Sequence, residues 1–222
     1  MRVLREESST FVFWEDLVFL EAALLAYGEF AELAALVTAV LAAFPGVLQS
    51  DLDTRRTQVR AEAHVAIADT RLDGGIRELH VDSVQLAQGN KQATSHTTLF
   101  ATDIGNTVKH ALARQVEVAT GIFDKLVLAL FPPEFREKHQ NRLGGLIDIG
   151  RAALARRREA NIERAGVRLT ITEWKEEANA VRLSVYAELI KRNSNKEFAD
   201  RFFRPAPARV ASSTTVEDPI ED

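Results

Sequence analysis

Along residues 11–48, Phe13, Leu17, Leu20, Leu24, Tyr27, Ala31, Ala34, Thr38 and Leu41 recur at alternating steps of four and three, the period of one helical stripe. The positions between them are scarcely more polar. The charges inside this stretch are Glu15, Asp16, Glu21, Glu29 and Glu32, and residues 33–48 carry none. A helix apolar nearly all round belongs in a core or a membrane, so this segment is expected to be the one that the others cover. Pro45 and Gly46 predict its end, and Ser50 with Asp51 and Asp53 predicts the capped start of the next helix.

A second helix is expected over about 51–87, with Val59, Ala63, Ala66 and Thr70 on one stripe and Leu72, Ile76, Leu79, Ser83 and Leu86 on another. Gly74 and Gly75 sit near the shift between them, and Gly89 and Asn90 predict the stop. A third helix, about 98–130, places Phe100, Ile104, Val108, Ala111, Val118, Ile122 and Leu126 inward before Pro132 and Pro133 end it. Pro133 suits the first position of a fourth helix. The seam of that helix (Leu143, Leu146, Gly150, Ala153, Arg157, Ala160, Arg164, Val167, Ile171, Trp174, Ala178, Val181, Val185) keeps register to Arg192. Gly166 and the β-branched Val167, Thr170, Ile171 and Thr172 weaken its middle, where Thr170 and Glu173 offer a capping box for a fifth helix.

The fold expected is therefore all-α: an elongated up-down antiparallel bundle of four long helices, or five if the chain breaks near 166–172. Residues 1–204 form one domain in this reading, with Phe198, Phe202 and Phe203 docked on a helix. Residues 205–222, rich in Pro, Ser, Thr and acid, form a disordered tail. Facing glycines, Gly121 with Gly144 and Gly145, and Gly74 with Gly105, are expected to let neighbouring helices approach closely.

Composition narrows the function classes. With no cysteine there is neither a disulfide framework nor a thiolate metal site, which suits a reducing, cytoplasmic setting. A net charge of −4 gives no general reason to expect a nucleic-acid partner. The acids at Glu6, Glu7, Glu15, Asp16 and Glu21 argue against an export signal, and the charge-free run is shorter than the roughly 20 residues that cross a bilayer core.

The chemistry-bearing motifs are missing. A di-metal bundle site needs Glu-x-x-His pairs, but Glu62, Glu78 and Glu137 stand two positions before His64, His80 and His139, on nearly the opposite side of a helix. There is no Gly-x-Ser-x-Gly elbow and no phosphate-binding loop, so neither catalysis nor a cofactor is expected. Arg156, Arg157 and Arg158, with Arg151, Arg164 and Arg168 around them, are diluted by Glu159 and Glu163 and read as a solvated or ion-paired face. Some of these arginines are expected to reach the acids of residues 11–48.

What remains is interaction. If the fourth helix is continuous, it outruns the others, and Trp174, Ala178, Val181, Val185 and Leu189 form an apolar stripe on the overhang. Either the phenylalanines at 198–203 fold back over it, or two copies pair there across a two-fold axis. The function expected is a non-enzymatic scaffold or interaction component, taking a protein partner or a second copy. The alternative is a membrane-active protein that releases residues 11–48.

Overall fold

The structure, a computed structural model, describes residues 1, 3–101 and 104–205. Among them every regular element is an α-helix: α1 Thr10–Tyr27, α2 Ala31–Leu86, α3 Thr94–Leu99, α4 Ile104–Thr107, α5 Leu112–Lys125, α6 Pro133–Asn193 and α7 Lys196–Asp200. The expected tail lies, from residue 206, outside the described residues. The chain divides into two compact units, residues 1–47 with 170–222, and residues 48–169.

The first expected helix is two helices. Ser9 caps α1, its side chain accepting from the Val12 amide, and Gly28 ends it at φ +71°, a backbone conformation that glycine adopts without a Cβ clash. The chain then turns so that Phe30 is buried. Pro45 and Gly46, expected to stop the helix, lie inside α2. Pro45 removes one rung of the ladder and is exposed. One turn earlier, the Trp174 indole N–H donates to the Val40 carbonyl at 3.1 Å, tying this part of α2 to α6.

In the first unit, α1 and the start of α2 pack on the end of α6. Phe13, Leu17, Leu20 and Leu24 of α1 and Val37, Val40 and Phe44 of α2 are buried with Trp174, Ala178, Val185 and Leu189. The Trp174 ring lies 5.3 Å from Phe44 and 6.3 Å from Phe13. As expected, the phenylalanines beyond α6 dock: Phe202 packs on Tyr27 and Phe30, and Phe203 on Tyr186.

The second unit has its core where α2 and α6 meet the shorter helices: Leu72, Ile76, Leu79, Leu112, Val116, Ile122, Leu126, Leu143 and Ile147. The expected third helix is instead α3, α4 and α5. Its inward pattern is only partly kept, with Phe100, Ile122 and Leu126 buried and Ala111 exposed. The reason lies at Phe100, which ends α3 at φ −121° and ψ 85°, and at Ala111, which starts α5 in an extended conformation. Gln115, fully buried, donates from Nε2 to the carbonyls of Val108 and His110 at 3.2 and 2.9 Å, satisfying acceptors that a continuous helix would have used.

α6 starts at Pro133 and runs unbroken through 166–172, so no fifth helix begins at Thr170. Two packing expectations are corrected. The expected glycine pairs are not in close approach: a Cβ on Gly74, Gly121 or Gly145 would meet nothing within 4 Å, and one on Gly144 would stand 3.2 Å from the Phe123 ring, while the tight sites are Gly150, 2.7 Å from Val116 Cγ2, and Gly75, 2.3 Å from Leu146 Cδ1. On α2 the stripe Val59, Ala63, Ala66 and Thr70 faces water, and Thr54, Ala61 and Ala68 are the buried positions. Ala153, Ala160 and Arg164 are the buried residues of α6 over 151–169. Where a seam is built of alanine, the larger apolar residues are left outside it.

Candidate interaction surface

The most apolar eighteen-residue window of α2 has a mean hydropathy of 2.0, long and apolar enough by length and composition to cross a membrane, yet only 33% of it is buried. The reason is packing geometry. Leu33, Ala34, Val37, Val40 and Phe44 turn one stripe toward α1 and α6, and the other helices of the unit reach no further round. Ala35, Leu36, Ala39, Ala42 and Ala43 are left exposed. The expectation that residues 11–48 are covered all round is overturned on this side.

α1 also leaves large apolar side chains exposed. Phe11, Phe19 and Leu25 are 50%, 39% and 56% exposed. Thr38 of α2 donates to the Glu21 carboxylate of α1, and Phe44 lies 5.7 Å from both Phe11 and Trp14, which fixes the two helices as an antiparallel hairpin.

The acids of the hairpin are held from α6 and beyond. Arg182 Nη2 donates to Asp16 Oδ2 at 3.1 Å, with both side chains nearly fully buried. Arg182 also reaches Asn179 Oδ1 at 3.0 Å and lies over the Phe203 ring. Arg192 pairs with Glu32 and Arg204 with Glu15, and each carboxylate raises the pKa of its guanidinium. Arginines do reach the acids of this segment, but from 182–204, not from the run at 151–168. Within that run Arg164 is buried, pairing with Asp51 and donating to Thr54 Oγ1 at 3.1 Å, while Arg156, Arg157 and Arg158 are exposed.

The expected stripe on α6 is placed inside the chain. Trp174, Ala178, Val185 and Leu189 are buried and Val181 partly so, against α1, α2 and the phenylalanines that follow α6. The exposed patch that suggested pairing of two copies there is thus covered within one chain, and the exposed apolar surface is on the other side of the same unit's helix hairpin.

In the second unit, His96 is buried with Nδ1 at 2.8 Å from Ser83 Oγ, and the His80 ring packs edge-on at 5.0 Å. Ser83 gives its proton to the His80 carbonyl at 2.8 Å and is fully buried, so this contact is a tie between α2 and α3 rather than a nucleophile with its base. Burial, with Lys91 nearby, lowers the His96 pKa. His139 is also buried, with Nε2 3.0 Å from Asp82 Oδ2. Burial holds it below its usual value despite that carboxylate, so the charged partner of Asp82 is Lys138, at 2.6 Å.

A shallow groove of about 490 Å³ between α2 and α6 has Ala61 and Ala160 on its lining with Arg60, Arg156, Glu159 and Glu163 around them; the two signs of charge alternate and select no ligand. Among the described residues no cluster of three metal-ligating side chains forms. Compared with known proteins, the chain matches no family model, no curated sequence and no solved structure.

Proposed function

We propose that this chain is a non-enzymatic interaction protein whose working surface is the outer face of the hairpin formed by α1 and the first half of α2. The observation that carries the reading is the conjunction of high hydropathy and low burial: two-thirds of the most apolar window of α2 is not buried. Scattered apolar residues are normal on a protein surface, but a contiguous apolar face is costly in water unless something covers it. Long helices joined to a buried ion pair and a ring cluster give this face a rigid backing, as an interaction surface requires.

The test uses a photo-reactive amino acid placed at Ala39 or, as a control, at Arg158, which is exposed and polar. Irradiated in its host, the protein labelled at 39 should give a discrete adduct and the one labelled at 158 should not. Equal background from both positions overturns the reading.

A further inference from the structure

We infer that the face of α6 around Lys175 and Asn179 is a receptor for an extended peptide segment, and that residues 3–6 of the same chain occupy it as a displaceable strap. Leu4 is buried at 3% exposure, while Val3, Arg5 and Glu6 on either side of it are exposed. The Asn179 side chain takes both backbone groups of Leu4: Nδ2 donates to its carbonyl at 2.9 Å, and Oδ1 accepts from its N–H at 3.2 Å. One amide reaches both groups only where the residue is extended, because in a helix they point in opposite directions. One turn earlier on α6, Lys175 Nζ donates to the Glu6 carbonyl at 2.7 Å. Four residues of helix rise about 6 Å and two residues of extended chain about 6.6 Å. Positions 175 and 179 are therefore spaced to hold alternate residues of a segment that runs antiparallel to α6.

The receptor is built by the fold and not by the strap. Arg182 Nη1 donates to Asn179 Oδ1 at 3.0 Å, and its Nη2 donates to the buried Asp16 at 3.1 Å. A guanidinium only donates, so this contact fixes which end of the amide is the oxygen and turns Nδ2 toward a carbonyl. Lys175 Nζ is placed 5.6 Å from the centre of the Phe13 ring. The strap brings backbone groups and one buried side chain, with about 470 Å³ of open space along Val3, Leu4, Arg5 and Ser8. Backbone bonds with a single apolar anchor are how proteins take up extended peptides of varied sequence. The partner is thus an extended segment with a leucine or similar aliphatic residue, and the strap is its competitor within the chain. The Met1 amine, paired with Asp200, holds that competitor at its near end.

The probe is an acetylated, amidated peptide of residues 3–8 with photo-leucine in place of its leucine. It is used at about 5 mM, because a tethered segment competes at a millimolar effective concentration. Irradiated with the intact chain carrying Leu4→Asp, which withdraws the strap's own anchor, it should give about tenfold more adduct in the first unit than with wild type. Methylating the peptide nitrogen of the photo-leucine removes the donor to Asn179 and leaves the protein untouched. The adduct should then fall about fivefold, the worth of one neutral hydrogen bond.

Equal adduct on wild type and on Leu4→Asp overturns the proposal, as does an adduct indifferent to N-methylation. Circular dichroism checks the fold, and Leu4→Gly replaces Leu4→Asp if that variant melts. A chain that melts with either substitution shows that residues 3–6 belong to the core and are no displaceable occupant, which also overturns it. The site shares no residue with the hairpin face, so its failure leaves the reading of that face as it stands.

Discussion

Asp16 is a carboxylate at 4% exposure on the buried side of α1, and removing it from water is unfavourable by several kcal/mol unless its charge is met. Arg182 meets it, and at 2% exposure is itself dependent on the pair. Arg182→Met should therefore destabilise the protein by about 3–5 kcal/mol, because it leaves a buried carboxylate behind. Asp16→Leu in the same chain should recover a large part of that loss. Urea denaturation of the two single variants and the double variant measures the coupling; additive effects would show that the pair is not what holds Asp16 there. Such a pair is hard to read from sequence, because a lone Arg182 between Val181 and Leu183 reads as a solvated helix position and only its tertiary partner makes it a core residue. The sequence pattern does show an acid between Phe13 and Leu17, which requires a cation from somewhere; it does not say that the cation comes from residue 182.

At the scale of the helices, Pro45 is a local defect tolerated by tertiary contact. Pro45→Ala restores a backbone donor at an exposed position and should stabilise by about 1–3 kcal/mol. Gly150→Ala should show no such gain, although it too improves helix propensity, because its Cβ meets the stiff Val116 side chain. Thermal melts that rank Gly150→Ala above Pro45→Ala would contradict both assignments. Gly166, Gly28 and Pro45 show what the sequence made legible. The two ends of α6 were readable, and its seam from Leu143 to Val185 keeps register past Gly166, but the weak helix formers over 166–172 left a break there as an open alternative that the structure closes. A Cβ on Gly166 would meet nothing within 4 Å, and the helix runs on through it. The end of α1 was not readable, because an apolar stripe runs through Gly28 as smoothly as through any helix, and only the positive φ there reveals the turn. Pro45 misled in the opposite sense. The working face itself was half legible: the charge-free run 33–48 announced it, but periodicity cannot say how much of an all-apolar helix its neighbours will reach.

For the molecule as a whole, acid should act in two windows. His96 and His139 have folded-state pKa values lowered by burial, so below the ordinary histidine value the unfolded chain takes up protons that the folded chain refuses. Stability is then lost as pH falls from about 7 toward 5. Asp82, lowered chiefly by its hydrogen bond from Lys138, contributes stability that is present above the ordinary aspartate value and disappears only as pH falls through the lowered one. Urea midpoints measured at pH 7 and pH 5 should differ for the wild type and differ less for His96→Gln with His139→Gln. An unchanged slope in that variant would place the acid sensitivity elsewhere.

The first unit is assembled from residues 1–47 and 170–205, with the whole second unit encoded between them. On a ribosome, α1 and the start of α2 emerge early, while Trp174, Arg182 and the phenylalanines that bury them are the last described residues to appear. For most of synthesis, Phe13, Leu17, Leu20 and Leu24 have nothing of their own unit to pack against, and Asp16 has no guanidinium. A nascent chain stopped after Leu169 should accordingly be held by chaperones or aggregate, with residues 10–48 open to protease. A chain stopped after Pro205 should release soluble protein in which they are protected. Synthesis of this protein thus includes an interval in which its most apolar helices must be kept waiting.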